Sequence, residues 1–116
     1  MIEPLLVGAG GAIGASGRYL VGIRFREAQF PWATLVVNAL GSGLLAAVLV
    51  SDLGLTITLF VGVGFCGALT TFSSFSYETV ELWESGRRGA SIANAGGNLL
   101  LSAFAFGTVW WVLMNL

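Results

Sequence analysis

Residues 64–78 read Gly64-Phe65-Cys66-Gly67-Ala68-Leu69-Thr70-Thr71-Phe72-Ser73-Ser74-Phe75-Ser76-Tyr77-Glu78. The stretch lies inside an apolar run from Leu55 to Glu84, which is longer than the ~20 residues that one spanning helix needs. A glycine followed by two β-branched threonines disfavours a regular helix, so a break near the middle of this run is one interpretation. Unwound backbone at that depth must be buried in protein or line a cavity, where its carbonyls can hold a cation. A straight helix, with its hydroxyls bonded back to carbonyls one turn earlier, is the alternative.

The composition around this stretch is that of a membrane protein. Hydrophobic types make up 56% and charged types 9% of the 116 residues, and the mean hydropathy is +0.88. Soluble domains carry about a quarter charged residues, so a soluble core is a poor fit. We predict an all-α membrane protein, a single four-helix transmembrane domain over residues 1–116. Its spans cover about 4–22, 32–51, 55–84 and 91–115, and the third is broken in mid-membrane.

Several functional classes are excluded by what the chain contains. The net charge is −1, which gives no basic patch for nucleic acid. The chain has no His, so zinc sites that use His and Ser-His or Cys-His nucleophile pairs are excluded. The opening Met1-Ile2-Glu3-Pro4 lacks the basic region of a signal peptide, so the first apolar stretch is expected to be a mature span. We predict that the protein is not an enzyme.

The arginines in the loops cluster at one end of the predicted bundle. Four spans bring the loop with Arg24 and Arg26 to the same end as the loop with Arg87 and Arg88. We call this end the arginine face. The termini and the turn at Asp52 lie at the other end, which carries no arginine. The positive-inside tendency then predicts that the termini lie outside the cell.

Uncharged polar residues recur at helical spacing in two further spans. The second span places Thr34, Asn38 and Ser42 on one side, and the fourth carries the stripe Ser91, Asn94, Asn98 and Ser102. Such hydrogen-bond donors suit a small anion that must shed its water. Hydrogen bonds between helices, made for packing alone, are the alternative.

Two aromatic rings and a group of polar residues complete the candidate site. Phe72 and Phe75 are three residues apart and share a helix face, and a phenyl ring carries a positive edge that can touch an anion. Contact with lipid or with the protein core is the alternative for this pair. Asn38 and Glu78 each lie about six residues, or ~9 Å, from the arginine face. Arg18 lies close to the same end, so the three are predicted to share a polar vestibule.

Four stretches resemble the CrcB/Fluc family of small fluoride channels over the whole chain. They are the opening Gly10-Gly11-Ala12-Ile13-Gly14-Ala15-Ser16-Gly17-Arg18-Tyr19, the second-span string Trp32-Ala33-Thr34-Leu35-Val36-Val37-Asn38-Ala39-Leu40-Gly41-Ser42, the stretch 64–78 quoted above, and Asn98-Leu99-Leu100-Leu101-Ser102. One position differs, because some members of the family carry Tyr where this chain has Asn98.

The resemblance implies a fluoride-selective passive channel in the cell membrane that exports cytoplasmic fluoride and protects against its toxicity. It implies an antiparallel dimer with two pores, formed with an identical copy or an oppositely oriented paralogue and embedded in lipid. A structural Na⁺ at the dimer interface would be held by the backbone carbonyls of Gly67 and Thr70. The implied fluoride pathway comprises Asn38, Thr71, Phe72, Ser74, Phe75, Asn98 and Ser102. Arg18 and Glu78 would form the vestibule.

Two other functions compete with this interpretation. A small proton-coupled exporter can have the same dual-topology four-helix architecture. It would need a titratable carboxylate at membrane depth in the first span, where Glu3 lies only at the edge. A non-transporting assembly subunit is the second competitor, and the continuous stripe of donors argues against it.

Overall fold

The computed structural model describes residues 1–116 and contains helices but no strands. Helix α1 is Glu3–Arg24, α2 is Trp32–Ser51, α4 is Phe72–Glu84 and α5 is Arg88–Met114. Helix α3 covers residues 55–69 and has three consecutive parts, an α-helical turn Leu55–Ile57, a π-helical segment Thr58–Cys66 and an α-helical turn Gly67–Leu69. Helices α3 and α4 together form the third predicted span. The all-α prediction is confirmed.

Three units are long and apolar enough to cross a membrane, namely α2, the α3–α4 unit Leu55–Glu84 and α5. Only 17 of the 116 residues are buried, so large apolar side chains such as Leu20, Leu100 and Phe104 cover the outside of the chain. A surface of this kind belongs against lipid or another protein. Helix α1 is not among the three, because Arg18 and several glycines dilute its apolar content. That α1 crosses the membrane stays a prediction.

The third span is broken at two residues. Thr70 (φ −79°, ψ 153°) and Thr71 (φ −148°, ψ 117°) have extended backbone, and the helix resumes at Phe72. The predicted break is therefore confirmed. It is narrower than the sequence suggested, because Gly67 has helical dihedrals of −62° and −37°. The extended conformation falls on the two β-branched residues, which tolerate it well.

Helix α3, which precedes the break, is packed between neighbouring helices on two sides. Helix α1 packs along α3, and a Cβ on Gly10 or Gly14 would collide with the carbonyl oxygen of Phe60 or Phe65. On the other side α2 packs along α5 and also contacts α3. Side chains larger than hydrogen would push α1 away from α3, so these two glycines are required by the packing.

The connecting loops confirm the arginine face. The Arg87 side chain donates from Nη1 to the carbonyl of Gln29 at 2.7 Å, which joins the third loop to the first. The opposite end is closed by a tight turn, in which Asp52 (φ 46°) and Gly54 (φ 92°) both have left-handed backbone. Asp tolerates this conformation better than most residues, and Gly adopts it without steric cost.

Candidate functional site

An open groove of about 1090 Å³ lies beside the break in the third span. Its walls come from α2, from both sides of the break and from α5. The predicted site residues that line it are Asn38, Gly67, Thr70, Thr71, Phe72, Phe75, Asn98 and Ser102. The structure thus brings together every predicted site residue except Ser74, Arg18 and Glu78.

Asn38 on α2 holds the break through the backbone of Thr71. Its Oδ1 accepts from the Thr71 N–H at 2.8 Å, and its Nδ2 donates to the Thr71 carbonyl at 3.2 Å. The side chain thereby satisfies both backbone groups of a residue that has left the helix. Buried backbone groups without partners are costly, so Asn38 makes extended backbone possible at this depth.

The break leaves two carbonyls beside the groove without their usual helical donors. In a continuous helix the Thr71 N–H would bond the Gly67 carbonyl, but here it donates to Asn38. The Ser74 N–H, which a continuous helix would give to the Thr70 carbonyl, donates instead to Thr71 Oγ1 at 3.1 Å. Thr71 is therefore the N-cap of α4. Gly67 and Thr70 each keep a carbonyl that has lost its usual helical donor.

A cation bound beside the groove would be held by these two carbonyls. No group of three or more His, Cys, Asp or Glu side chains could bind a metal in this chain. Neutral backbone oxygens at a helix break are the donors that Na⁺ takes in broken-helix sites. The chemistry of Gly67 and Thr70 fits a Na⁺, but one chain offers only part of the oxygen shell.

The amide side chains of α5 form hydrogen bonds within the protein and present no free donor to the groove. Asn38 Nδ2 donates to Asn98 Oδ1 at 2.8 Å, and Asn98 Nδ2 donates to the Asn94 carbonyl and to Asn94 Oδ1, both at 2.9 Å. Asn94 is 0% exposed and donates to Thr79 Oγ1 at 2.9 Å. Ser91 Oγ donates to the Thr79 carbonyl at 2.7 Å. For Ser91 and Asn94, hydrogen bonding between helices is the alternative that the structure adopts.

The hydroxyls near the break differ in their partners. Thr71 Oγ1 caps α4 and lies 3.3 Å from Ser73 Oγ. Ser102 Oγ on α5 is buried within the chain and has no hydrogen-bond partner, although its residue lines the groove. Ser74 does not line the groove, and it takes part in the site through its backbone N–H alone. Among the predicted site residues that line the groove, Ser102 therefore carries the hydroxyl that has no hydrogen-bond partner.

Phe72 and Phe75 stand side by side on the groove wall. Their ring centroids are 5.7 Å apart and the ring planes are inclined at 55°. The Phe72 side chain is 79% exposed in the single chain, whereas Phe75 is half-buried. Their shared face follows from the start of α4 at Phe72, which places both residues in its first turn or directly after it.

The predicted vestibule is only partly assembled. Glu78 Oε1 accepts from Thr34 Oγ1 at 2.8 Å, and Glu78 lines a second cavity of about 200 Å³ with Phe30 and Pro31 at the arginine face. Glu78 Oε2 is buried without a partner. Asn38 lies one turn further along the same side of α2 as Thr34. Arg18 forms no ion pair or hydrogen bond within the chain, so the structure does not join it to Glu78.

Sequence reasoning missed two features of this site. It took Asn38 as a free donor, whereas the structure uses it to bond the break, and it did not single out Thr79. The only sequence signal for Thr79 was its spacing. Thr79 lies on α4, eight residues after Thr71. Helix α4 packs against α5, which carries the polar stripe.

The chain matches a known protein family and is similar to several named proteins. Residues 5–110 match the family model described as CrcB-like protein, Camphor Resistance. A Haloarcula marismortui protein named fluoride-specific ion channel FluC 2 is 49% identical over 93% of this chain and 91% of its own length. A Natronomonas pharaonis protein of the same name is 45% identical over 90% and 89%. The Thermus thermophilus fluoride-specific ion channel FluC is 44% identical over 86% of each.

Proposed function

Because this chain belongs to the CrcB-like family, we propose that it is a fluoride-selective passive ion channel of the cell membrane that exports cytoplasmic fluoride. The observation that carries the proposal is the groove at the broken third span, where two phenyl rings lie beside uncharged polar groups. The names of the relatives identify channels and not enzymes, and the apolar helices identify a multi-pass membrane protein.

The chemistry of the groove suits a small anion without a fixed counter-charge. Phe72 and Phe75 offer ring edges with partial positive charge, and Ser102 offers a hydroxyl that no protein group uses. No arginine lines the groove, so an anion that enters is not trapped by a full opposite charge. Binding that is favourable but weak is what conduction requires.

Export follows from the chemistry of fluoride and from the membrane potential. Fluoride enters cells as neutral HF from acid surroundings and is held inside as the anion. A passive path lets a potential that is negative inside drive the anion out, with about 2.3 kcal/mol per 100 mV for each charge. Loss of the channel would therefore make cells sensitive to fluoride.

We propose further that the working unit is an antiparallel dimer with two pores and a central structural Na⁺. The groove is open along one side of the chain, and Phe72 stands exposed on it, so a second copy would complete the pore wall. Antiparallel packing would bring the two mid-membrane breaks together. The Gly67 and Thr70 carbonyls of both copies would then supply four oxygens to one Na⁺.

The arginine face sets the orientation of this chain in the proposal. Four loop arginines at one end and none at the other predict termini outside the cell. The antiparallel partner is then either a second copy inserted against this tendency or an oppositely oriented paralogue. Expression of the chain alone, followed by cross-linking, distinguishes the two.

Proton-coupled export is disfavoured by the position of the one carboxylate in the first helix. Glu3 is exposed at the chain end, where the Met1 ammonium 2.7 Å away holds the pKa of its carboxyl below the usual value. A carboxylate that is exposed at the edge of the bundle is poorly placed to carry a proton across the membrane.

The proposal is tested in liposomes that contain the purified protein. Ion-selective electrodes follow the release of fluoride and chloride after the membrane potential is clamped with a potassium ionophore. We expect fluoride release to exceed chloride release by at least about two orders of magnitude, because the narrow donor-lined path selects by size and hydration. Equal rates for both anions would overturn the selectivity, and no fluoride release would overturn the channel.

A further inference from the structure

A single chain of hydrogen bonds starts and ends at the first turns of α4. It begins at the Thr71 N–H and ends at the Phe75 carbonyl, to which Thr79 Oγ1 donates at 2.7 Å. Between these ends it leaves α4, crosses to α2 and α5, and returns. The successive residues are Thr71, Asn38, Asn98, Asn94, Thr79 and Phe75.

The direction of every bond in this chain is fixed by its two ends. A backbone N–H can only donate and a backbone carbonyl can only accept. Asn38 must therefore present its oxygen to Thr71 and its nitrogen to Asn98. The same condition passes to Asn98 and Asn94, and the single proton of Thr79 Oγ1 goes to the Phe75 carbonyl. Reversing any one amide would place donor against donor, so the chain has one arrangement.

We infer that Asn94 and Thr79 are positioning residues for the conduction site, which they do not line. They lock the orientation of Asn98, which locks Asn38, which holds the Thr71 backbone out of the helix. The inference rests on the proposed function, because the site they position is the proposed fluoride path. It assigns a role to two residues outside the groove.

The series of hydrogen bonds leaves α4 and returns to it, so it constrains α4 more tightly than helix packing does. The segment enclosed by its two ends, residues 71–75, carries both Phe72 and Phe75. Packing alone would hold α4 against α5 at any register that buries apolar area. The hydrogen-bond chain instead ties the first turn of α4 to one register and one rotation, since each bond constrains distance and direction.

The test compares Thr79→Val, which keeps the shape and removes the hydroxyl, with Thr79→Ser, which keeps the hydroxyl. Fluoride release from liposomes is measured together with hydrogen–deuterium exchange of the peptide covering residues 70–75. For Thr79→Val we expect fluoride release to fall and the exchange to rise, each about fivefold, the factor for loss of one ordinary hydrogen bond. Thr79→Ser should retain the parent values.

Asn94→Ala is the second variant and should behave like Thr79→Val. Asn115→Ala is its matched control, because it also removes one donated amide hydrogen bond, the bond from Asn115 Nδ2 to the Trp111 carbonyl, which lies at the end of α5 and outside the hydrogen-bond chain. A size-exclusion profile shows whether each variant assembles. If Asn94→Ala fails to assemble, the shape-conserving Thr79 pair decides.

Parent exchange and parent release in Thr79→Val would overturn the inference. It would also be overturned if Thr79→Ser failed as badly as Thr79→Val, since the shape of the side chain and not its hydroxyl would then matter. If the parent protein carries no fluoride, the proposed function fails while the exchange measurement still tests the hydrogen-bond chain.

Discussion

Replacing Asn38 with Leu should destabilise the protein by removing the hydrogen bonds that hold the break. Leu is apolar and fills the space of the amide, so the loss is confined to hydrogen bonds. Three hydrogen bonds are lost, namely those that Asn38 makes to the Thr71 N–H, the Thr71 carbonyl and Asn98 Oδ1. A buried polar group left without a partner costs about 1–3 kcal/mol.

The Thr71 carbonyl reduces this cost, because as the N-cap carbonyl it also accepts the first hydrogen bond of α4. At the low end of the range, three groups give a loss of about 3 kcal/mol. For a chain of this size that corresponds to a fall of roughly 10 °C in the apparent Tm. The assay is thermal unfolding in detergent, followed by the fluorescence of the tryptophans.

Ser42→Ala provides the matched control for this experiment. Ser42 lies one turn further along the same wall of the groove and makes no hydrogen bond within the chain, so its removal should change stability by less than about 0.5 kcal/mol. If Asn38→Leu unfolds at the same temperature as Ser42→Ala, the hydrogen bonds of Asn38 do not hold the break.

Three further predictions follow from other parts of the structure. Phe72→Ile should slow fluoride release at least about tenfold in protein that still assembles, because Ile keeps apolar bulk but lacks the positive ring edge; parent rates would show that the ring serves only packing. Gly10→Ala should destabilise the folded protein by about 1–3 kcal/mol, because its Cβ would collide with the Phe60 carbonyl. Gly8→Ala, whose Cβ would meet no atom within 4 Å, should leave the stability unchanged, and equal melting temperatures of the two variants would contradict the α1–α3 contact. A dimer structure should show Na⁺ held by the Gly67 and Thr70 carbonyls of both copies; a density whose ligand distances are those of water, in protein that assembles equally well without Na⁺, would refute this prediction.

The break could be predicted because its signals in the sequence are local. Thr70 and Thr71 are β-branched neighbours in a span too long for one helix, and the structure breaks there. The shared face of Phe72 and Phe75 follows in the same way from their spacing. The shared end of the two arginine loops follows from the number of spans. Each of these properties depends on residues that are close in the chain or on a simple count.

The partners of the polar residues could not be predicted, because they are set by packing. Asn38 and Thr71 are 33 residues apart, and an asparagine looks the same in sequence whether it faces an ion or a backbone amide. The π-helical segment before the break was also unforeseen. Its carbonyls lie against Gly10 and Gly14 of another helix, so its shape depends on a contact that periodicity does not encode.

The hydrogen bonds of Asn38 also constrain how it could meet fluoride in the proposed channel. Both of its amide protons are engaged, one by the Thr71 carbonyl and one by Asn98 Oδ1. An anion in the groove must take one of them. The bond to Thr71 supports the break, whereas the bond to Asn98 joins two side chains that both line the groove.

Exchange of the bond to Asn98 is the less costly of the two. A neutral hydrogen bond contributes about 1 kcal/mol net, and a bond to an anion is roughly twice as strong. In the proposed channel, fluoride would displace Asn98 Oδ1 only transiently and with a small gain, and the bond that links Asn38 to Asn98, Asn94 and Thr79 would form again as soon as the ion moves on. A site that returns the proton to a protein acceptor after each passage binds the ion weakly and releases it quickly. In the proposed channel, the amide pair at Asn38 and Asn98 would then allow fluoride to pass without being trapped.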